Sequence, residues 1–479
     1  MKLPPWAECC LFILIAAIIR VPHFFEAVIE WDESTFILMG QSLVDGHLPY
    51  VELWDNKPPL CFVPFALVIA LFGKSIVAVR ALGLTCVVAC AWLVRCIALR
   101  LGGRSLGFTS GVACIVLVSY SPSGMATMSE VLAIVPLAGA LALALRPRLH
   151  GAGSFAAGAC LSIAFLIRTN LGITAIAAVV FLLLEWSRTR QRRLTPSALL
   201  VGLLAPGIFC AAPYAALGLL PLFVASVFAA PFSYAASAVM RRLVWHAAPV
   251  VFARVPSWWN GLAKEQQRNL ACTATFATST LVSILVTGTG TLHYGVQFMP
   301  FAALMVAFLV AVALRRATRR LHYGIAVSTV VTVLVVAGHD AAQAAARMRS
   351  SDHGLHVYGP SVQIAAHISE RNPDKRPVLM FSDHLAYWFM AARPMSKIMT
   401  HPTNVLREGV LRIVNGPEAT TVGELERVFA LEPLYVVRHR GGKFATRPEV
   451  AAVIEAAVAA SYAVEARFGE SWVYRRIGQ

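Results

Sequence analysis

Four knots of arginine divide this 479-residue chain into apolar runs, and they restrict its possible folds more than any other feature. They are Arg95, Arg100 and Arg104; Arg146 and Arg148; Arg188, Arg190, Arg192 and Arg193; and Arg315, Arg316, Arg319 and Arg320. An apolar run of about 20 residues crosses a bilayer as a helix, and Arg/Lys-rich connections stay on the cytoplasmic side. All four knots then share one side, and an even number of crossings separates each from the next. The chain is 58% hydrophobic and 14% charged, where a soluble domain carries about 25% charged residues. The pattern describes a polytopic α-helical membrane protein. Its net charge of +16 does not call for nucleic acid, because much of it is loop arginine, for which anionic membrane lipids are the natural partners.

Eleven spans satisfy the arginine constraint: 7–29, 76–98, 105–121, 131–145, 152–167, 171–187, 197–219, one weakly marked crossing within 220–268, then 270–287, 297–314 and 321–338. The 220–268 stretch mixes apolar residues with Arg241, Arg242, Arg254, Trp258, Trp259 and Lys264, and is expected to hold an outer amphipathic segment as well. The apolar run 59–73 is short for a crossing and reads as interfacial or re-entrant. Lys2 and the apolar run from Cys9 lack an Ala-x-Ala end, so the first span reads as uncleaved. The N-terminus is then cytoplasmic and the C-terminal region outside.

From about 339 the composition becomes that of a soluble domain. Val378–Phe381 and Leu434–Val437 read as buried strands, and Glu424–Ala430 and Pro448–Ala460 as helices. The expectation is a transmembrane domain over 1–338 and a small extracytoplasmic α/β domain over 339–479. All ten cysteines lie at or before Cys272; without a C-x-x-C pair they read as small buried hydrophobes.

The polar stretch after the first span carries the chemistry. It reads Trp31-Asp32-Glu33, Asp45-Gly46-His47-Leu48-Pro49-Tyr50 and Trp54-Asp55-Asn56-Lys57-Pro58-Pro59-Leu60. Ionisable groups at a membrane edge are costly unless paired or used. Asp32 or Glu33 could serve as a general base for an attacking hydroxyl, or simply solvate the end of the span. Glu130, opening span four, could share acceptor binding or a divalent metal ion, or merely complement the helix dipole. Lys57, directed by Pro58-Pro59, could hold a phosphate or snorkel. Arg20, Arg80 and Arg168 lie on the side opposite the arginine knots, so each needs a phosphate or a carboxylate partner such as Glu130. His293 and Tyr294, with Gln297 and Pro300, occupy the last short outer loop; a tyrosine there is more often a membrane anchor. Gly288-Thr289-Gly290 lacks a third glycine, and there is no P-loop or nucleophile elbow. His353/His356 and Asp383-His384 read as polar surface.

Together these elements resemble the GT-C glycosyltransferases, in the branch of the protein O-mannosyltransferases and the lipid A aminoarabinose transferase. The resemblance rests on Trp31-Asp32-Glu33, Asp45-Gly46, Trp54 to Leu60, Arg80, Ser129-Glu130, Arg168, and His293-Tyr294 with Pro300, and covers roughly 7–338. It implies a GT-C-like fold and an inverting transfer on the outer face from a polyprenyl-phosphate sugar. The acceptor would be a cell-envelope glycan, lipid or protein, in the periplasm of a bacterial inner membrane. Asp32 matches the catalytic aspartate of the first loop, with Glu33 beside it. Glu130 matches a second-loop acid that is often aspartate in relatives. Lys57 matches the lysine near the donor phosphate, with Arg80, Arg168, His293 and Tyr294 as further candidates there. No cofactor is fixed by these residues. The competing readings are a transporter or flippase of lipid-linked sugars, which would more naturally show inverted repeats, and an inactive relative that binds a partner.

Overall fold

The computed structural model describes residues 4–188, 194–234, 261–287, 291–314, 319–349 and 357–478. Arg190, Arg192, Arg193, Arg315 and Arg316, the stretch with Arg241, Arg242, Arg254, Trp258 and Trp259, Gly288-Thr289-Gly290, and the pair His353/His356 lie outside the described residues. The apolar runs are helical. Six helices among the described residues are long and apolar enough to cross a bilayer: Pro5–His23, Ile76–Gly102, Thr169–Ser187, Pro196–Ala216, Lys264–Thr287 and Leu292–Val312. Other expected spans are shorter apolar helices, Arg104–Ser119, Ser129–Ala144 and Gly151–Ile167. Sixteen or seventeen residues rise only about 24–26 Å, short of a hydrocarbon core of about 30 Å. The last expected span lies within the 31-residue helix Arg319–Arg349.

In chain order, the first nine helices are α1 (Pro5–Arg20), α2 (Trp31–Val44), α3 (Val63–Phe72), α4 (Ile76–Gly102), α5 (Arg104–Ser119), α6 (Ser129–Ala144), α7 (Gly151–Ile167), α8 (Gly172–Arg188) and α9 (Pro196–Ala216). The chain divides into two compact units. One takes Met1–Pro22, Ala81–Pro213 and Ala235–Ala342; the other takes His23–Arg80, Tyr214–Tyr234 and Gln343–Gln479. The C-terminal region therefore clusters with the polar stretch after the first span, and not by itself.

In the first unit α6 packs on α7, the Met299–Leu314 helix on α5, and the Lys264–Thr287 helix on α8. Small residues let backbones approach where lipid supplies no hydrophobic drive. A Cβ on Gly202 of α9 would sit 2.0 Å from the Phe155 carbonyl oxygen, and one on Gly158 of α7 would sit 2.2 Å from that of Leu199. Gly202→Ala should therefore cost about 1–3 kcal/mol by overpacking, read as a lower unfolding temperature in detergent. Gly207→Ala on the same helix, with nothing within 4 Å of the new Cβ, should be neutral or stabilising.

Several charged groups inside this unit are matched. Glu8 of α1 pairs with Arg95 and Arg104, and Arg100 donates to the Ala142 carbonyl at 2.6 Å, so the first arginine knot is engaged by the protein itself. Arg20 donates to the carbonyls of Gly124 at 2.7 Å and Met125 at 3.0 Å, in the connection between α5 and α6. The main chain thus supplies part of what holds this arginine.

The second unit holds a four-stranded sheet of β1 (Val378–Met380), β2 (Tyr435–His439), β3 (Tyr462–Phe468) and β4 (Ser471–Arg476), in the order β1-β2-β4-β3. β1 and β2 are parallel and the other pairs antiparallel. The helix Thr421–Phe429 starts where the Thr420 side chain accepts from the Gly423 amide at 3.1 Å, and Pro448–Ser461 starts on its proline. α2 belongs to this unit and packs against α3 and against the short helix Leu385–Met390. The 30–58 stretch is thus part helix, where the sequence reading left it without regular structure.

Candidate active site

The start of α2 is built by its own sequence. Glu30 precedes the helix, and its carboxylate accepts from the Asp32 amide at 2.7 Å, satisfying one of the orphan donors of the first turn. Asp32 and Glu33 follow in that turn, where negative charge meets the positive end of the helix dipole. Successive helical residues are rotated by about 100°, so Trp31, Asp32 and Glu33 leave in three directions and find three sets of partners. The Trp31 ring stands edge-on to His439 at 5.8 Å, with the Lys443 ammonium 5.7 Å from its centre. Glu33 pairs with Arg80, and both side chains are 1% exposed. Arg80 also donates to the Glu26 carbonyl at 2.9 Å. Asp32 lies 3.6 Å from Lys57 Nζ through Oδ2 and 3.2 Å from His401 Nε2 through Oδ1, and keeps 18% of its side chain accessible.

Lys57 is fixed by its own loop. The Tyr50 hydroxyl donates to the Lys57 carbonyl at 2.6 Å, and Lys57 donates from its amide to Asp55 Oδ2 at 3.3 Å. Its ammonium donates to Asn56 Oδ1 at 3.0 Å and stands 5.7 Å from the Phe36 ring centre. Burial pushes the Asp55 carboxyl above its ordinary range, against the pull of Lys57 and with a further push from Asp32.

A late segment closes this loop. The Trp54 amide donates to the Lys397 carbonyl at 2.7 Å, the Thr400 hydroxyl to the Trp54 carbonyl at 2.7 Å, and Asn404 to Asp55 Oδ1 at 3.1 Å. Thr35 of α2 donates to the Thr400 carbonyl at 2.9 Å. His401 sits at the head of the helix Pro402–Leu406, with Nδ1 3.3 Å from the Thr403 amide and 2.7 Å from its hydroxyl. An amide can only donate, so Nδ1 is the bare nitrogen and Nε2, facing Asp32, carries the proton. Nothing in the sequence around His401 marked it.

His384 is buried and Asp383 half-buried, where the sequence suggested surface. Against the upward push of burial, hydrogen bonds with His439 and Ser471 hold the Asp383 carboxyl below its ordinary range. Burial, helped by neighbouring His401 and opposed by Asp383, depresses the His384 imidazole to about 3. Below the ordinary imidazole value of 6.5 the unfolded chain takes up a proton that the folded one refuses until about 3. This contribution to stability is therefore complete above pH 6.5 and is lost progressively as pH falls from 6.5 toward 3. His384→Asn should flatten that part of the stability–pH curve, measured as unfolding temperature at fixed ionic strength.

In the helical unit four further candidates meet. Glu130, fully buried in the first turn of α6, pairs with Arg168 at the end of α7. Ser129 donates to Glu130 Oε2 at 3.1 Å and receives from Arg168 at 2.8 Å. His293 Nε2 is 3.6 Å from Glu130 Oε1, and the Arg168 guanidinium lies 4.2 Å from the Tyr294 ring centre. Asn170 accepts from Arg168 at 3.2 Å and donates to Gln297 at 2.8 Å and Ser283 at 3.2 Å. Arg168 thus has the carboxylate partner that its position demanded, and Tyr294 is buried beneath a cation. Among the described residues no group of three or more His, Cys, Asp or Glu side chains is arranged to hold a metal ion.

The family model for dolichyl-phosphate-mannose-protein mannosyltransferases matches residues 56–215. No curated protein matches the sequence. Among solved structures, ArnT from Cupriavidus metallidurans bound to undecaprenyl phosphate is 15% identical, with 99% of each chain covered and a TM-score of 0.66. The same protein in its apo state is 16% identical, with 98% of this chain and 97% of that one covered at a TM-score of 0.64. An Archaeoglobus fulgidus oligosaccharyltransferase tethered to an acceptor peptide is 9% identical, with 98% of this chain and 74% of that one covered at a TM-score of 0.51. The likeness is one of fold, the GT-C fold, and it extends through the C-terminal region, where the sequence showed no resemblance.

Proposed function

We propose that this chain is a membrane glycosyltransferase that moves a sugar from a polyprenyl-phosphate carrier to a hydroxyl-bearing acceptor of the cell envelope. The observation that carries the reading is the Asp32–Lys57 pair: a carboxylate with part of its surface open, held beside a buried ammonium at the start of α2. The undecaprenyl phosphate bound to the structurally similar ArnT, and the acceptor peptide tethered to the oligosaccharyltransferase, support a lipid-linked donor and a separate acceptor.

In the proposed step the acceptor hydroxyl gives its proton to Asp32 as its oxygen bonds to the anomeric carbon. The bond from that carbon to the phosphate oxygen breaks, its electron pair leaves with the polyprenyl phosphate, and the anomeric configuration inverts. Lys57 steadies the charge that gathers on the departing phosphate. Glu33 and Arg80 neutralise each other beneath α2 and act as support. Glu130 and Arg168 likewise form a matched pair, leaving His293, with 16% of its side chain accessible, as the member of that cluster best able to meet a ligand. The proposal includes eleven crossings, a cytoplasmic N-terminus and a periplasmic C-terminal region in a bacterial inner membrane.

The test is mass spectrometry of lipids co-purifying with the full chain, followed by binding of added undecaprenyl phosphate. A retained polyprenyl-phosphate sugar, displaced by undecaprenyl phosphate, is the expected result and names the donor. A folded protein that retains none, and binds undecaprenyl phosphate no better than an unrelated membrane protein does, overturns the proposal.

A further inference from the structure

We propose that the cavity flanked by Trp31 and Ser34 is a carbohydrate subsite, which takes an uncharged or amino-bearing sugar ring of the acceptor and excludes phosphorylated ones. The inference rests on the reading of the chain as a glycosyltransferase and adds the class of its acceptor, a glycan.

The cavity measures about 440 Å³, within the range of about 300–1,000 Å³ usual for small-molecule sites. Trp31 and Ser34 both line it. They are three residues apart on α2, so they share one face of that helix. Asp32 lies between them in the same turn, and a ring held against this wall is anchored within one turn of the proposed base. The Trp31 indole gives the wall an apolar plate with a negative π face. The C–H face of a pyranose is apolar and weakly positive, and suits such a plate. Ser34 is 5% exposed, and among the described residues its hydroxyl has no hydrogen-bond partner. A polar group so enclosed is costly to leave unpaired. A sugar hydroxyl brings both a donor and an acceptor to meet it.

The rest of the lining is rich in acceptors. Asp383 is held in place: Oδ1 accepts from Ser361 at 3.3 Å and Oδ2 from Ser471, and His439 Nε2 stands 3.4 Å from Oδ2. A carboxylate oxygen can accept twice, so Oδ1 keeps capacity for a ligand hydroxyl. Glu26 and Glu470 add further carboxylates, set against Arg347, which stands 3.4 Å from Glu26. Burial keeps His384 neutral. Even with His439 charged, the lining carries more carboxylates than cations. Like charges brought together reject a wrong partner, so a phosphate-bearing sugar is repelled where a neutral or ammonium-bearing one is not. A peptide is a poorer match. Its carbonyls accept, as do the carboxylates around them, whereas every sugar hydroxyl can donate.

The experiment is saturation-transfer NMR on the full chain in lipid nanodiscs, free of sugar-based detergent. The probes are the methyl glycosides of glucose, galactose, mannose and N-acetylglucosamine, then glucosamine, the 6-phosphates of glucose and mannose, and a neutral threonine-containing peptide. At least one neutral or amino sugar should bind, about ten-fold or more tighter than either 6-phosphate. Trp31→Ala should weaken that binding about ten-fold or more, as loss of an aromatic anchor does. Trp31→Phe keeps a stacking face and should retain most of it. Ser34→Ala should weaken it about two- to ten-fold, the usual worth of one hydrogen bond, and keeps the test open if Trp31→Ala does not fold. The inference is overturned if no sugar binds to a chain that binds added undecaprenyl phosphate. It is equally overturned if a 6-phosphate or the peptide binds more tightly than every neutral or amino sugar, or if whichever of Trp31→Ala and Ser34→Ala folds holds the sugar as the wild type does. Failure of the parent reading is separate, because it appears as a folded chain that binds no undecaprenyl phosphate, whichever sugars it takes.

Discussion

Asp32→Asn is expected to lower sugar transfer by about 10²–10⁴-fold, the usual share of a positioned base, while the protein folds normally and keeps its donor lipid. Asparagine preserves the shape, but it cannot take the acceptor's proton. The loss should fall on turnover, with the donor accumulating on the variant in the co-purified lipid. Full transfer by Asp32→Asn would remove the base from the mechanism. Asp32→Glu should recover only part of the activity, because the longer side chain moves its carboxylate away from two contacts set at 3.2 and 3.6 Å. The measurement is the initial rate in vesicles with the donor identified by mass spectrometry.

The next residue should fail in a different way. Arg80→Leu is expected to cost about 3–5 kcal/mol of stability, the penalty for taking the partner from a buried charge. Glu33 is 1% exposed and would be left without the guanidinium opposite it. Glu33→Leu alone should cost a similar amount, since Arg80 would then be the stranded ion. The pair Glu33→Leu with Arg80→Met should recover most of the loss, because replacing both ions by apolar groups of similar volume is often neutral. Thermal unfolding in detergent reads all three. If Arg80→Leu unfolds like the wild type while transfer collapses, Arg80 belongs to the chemistry and not to the support.

This contrast between neighbours was not legible in the sequence, where Asp32 and Glu33 are equal candidates. Chain order shows that both acids open a helix; only the partners separate them, and those partners come from Lys57, Arg80 and His401. What the sequence did carry was local or periodic. Apolar runs became helices, the strands begun at Val378 and near Leu434 formed, and Pro448 opened the helix expected there. The need of Arg168 for a carboxylate was also readable, because a lone arginine inside apolar surroundings is too costly to leave unmatched. The hairpin of β3 and β4 was missed because β3 is largely exposed and interspersed with charge, which blurs the two-residue alternation on which strand reading depends. The helical character of α2 was missed for a related reason: its first turn is polar, and polarity reads as loop. His401 was missed because a histidine before a proline has no signature of its own.

The closure of the first loop by residues 396–404 has a consequence for how the molecule is made. Thr35 and Thr400 are 365 positions apart, and contacts so remote in sequence form late, after the entropy of a very long loop has been overcome. During synthesis the helix bearing Asp32 emerges early, yet the segment that closes its loop emerges only when most of the chain has been completed. A nascent chain would hold this loop without the segment that closes it. Completion of the first loop would then arrive as one of the last events of biogenesis.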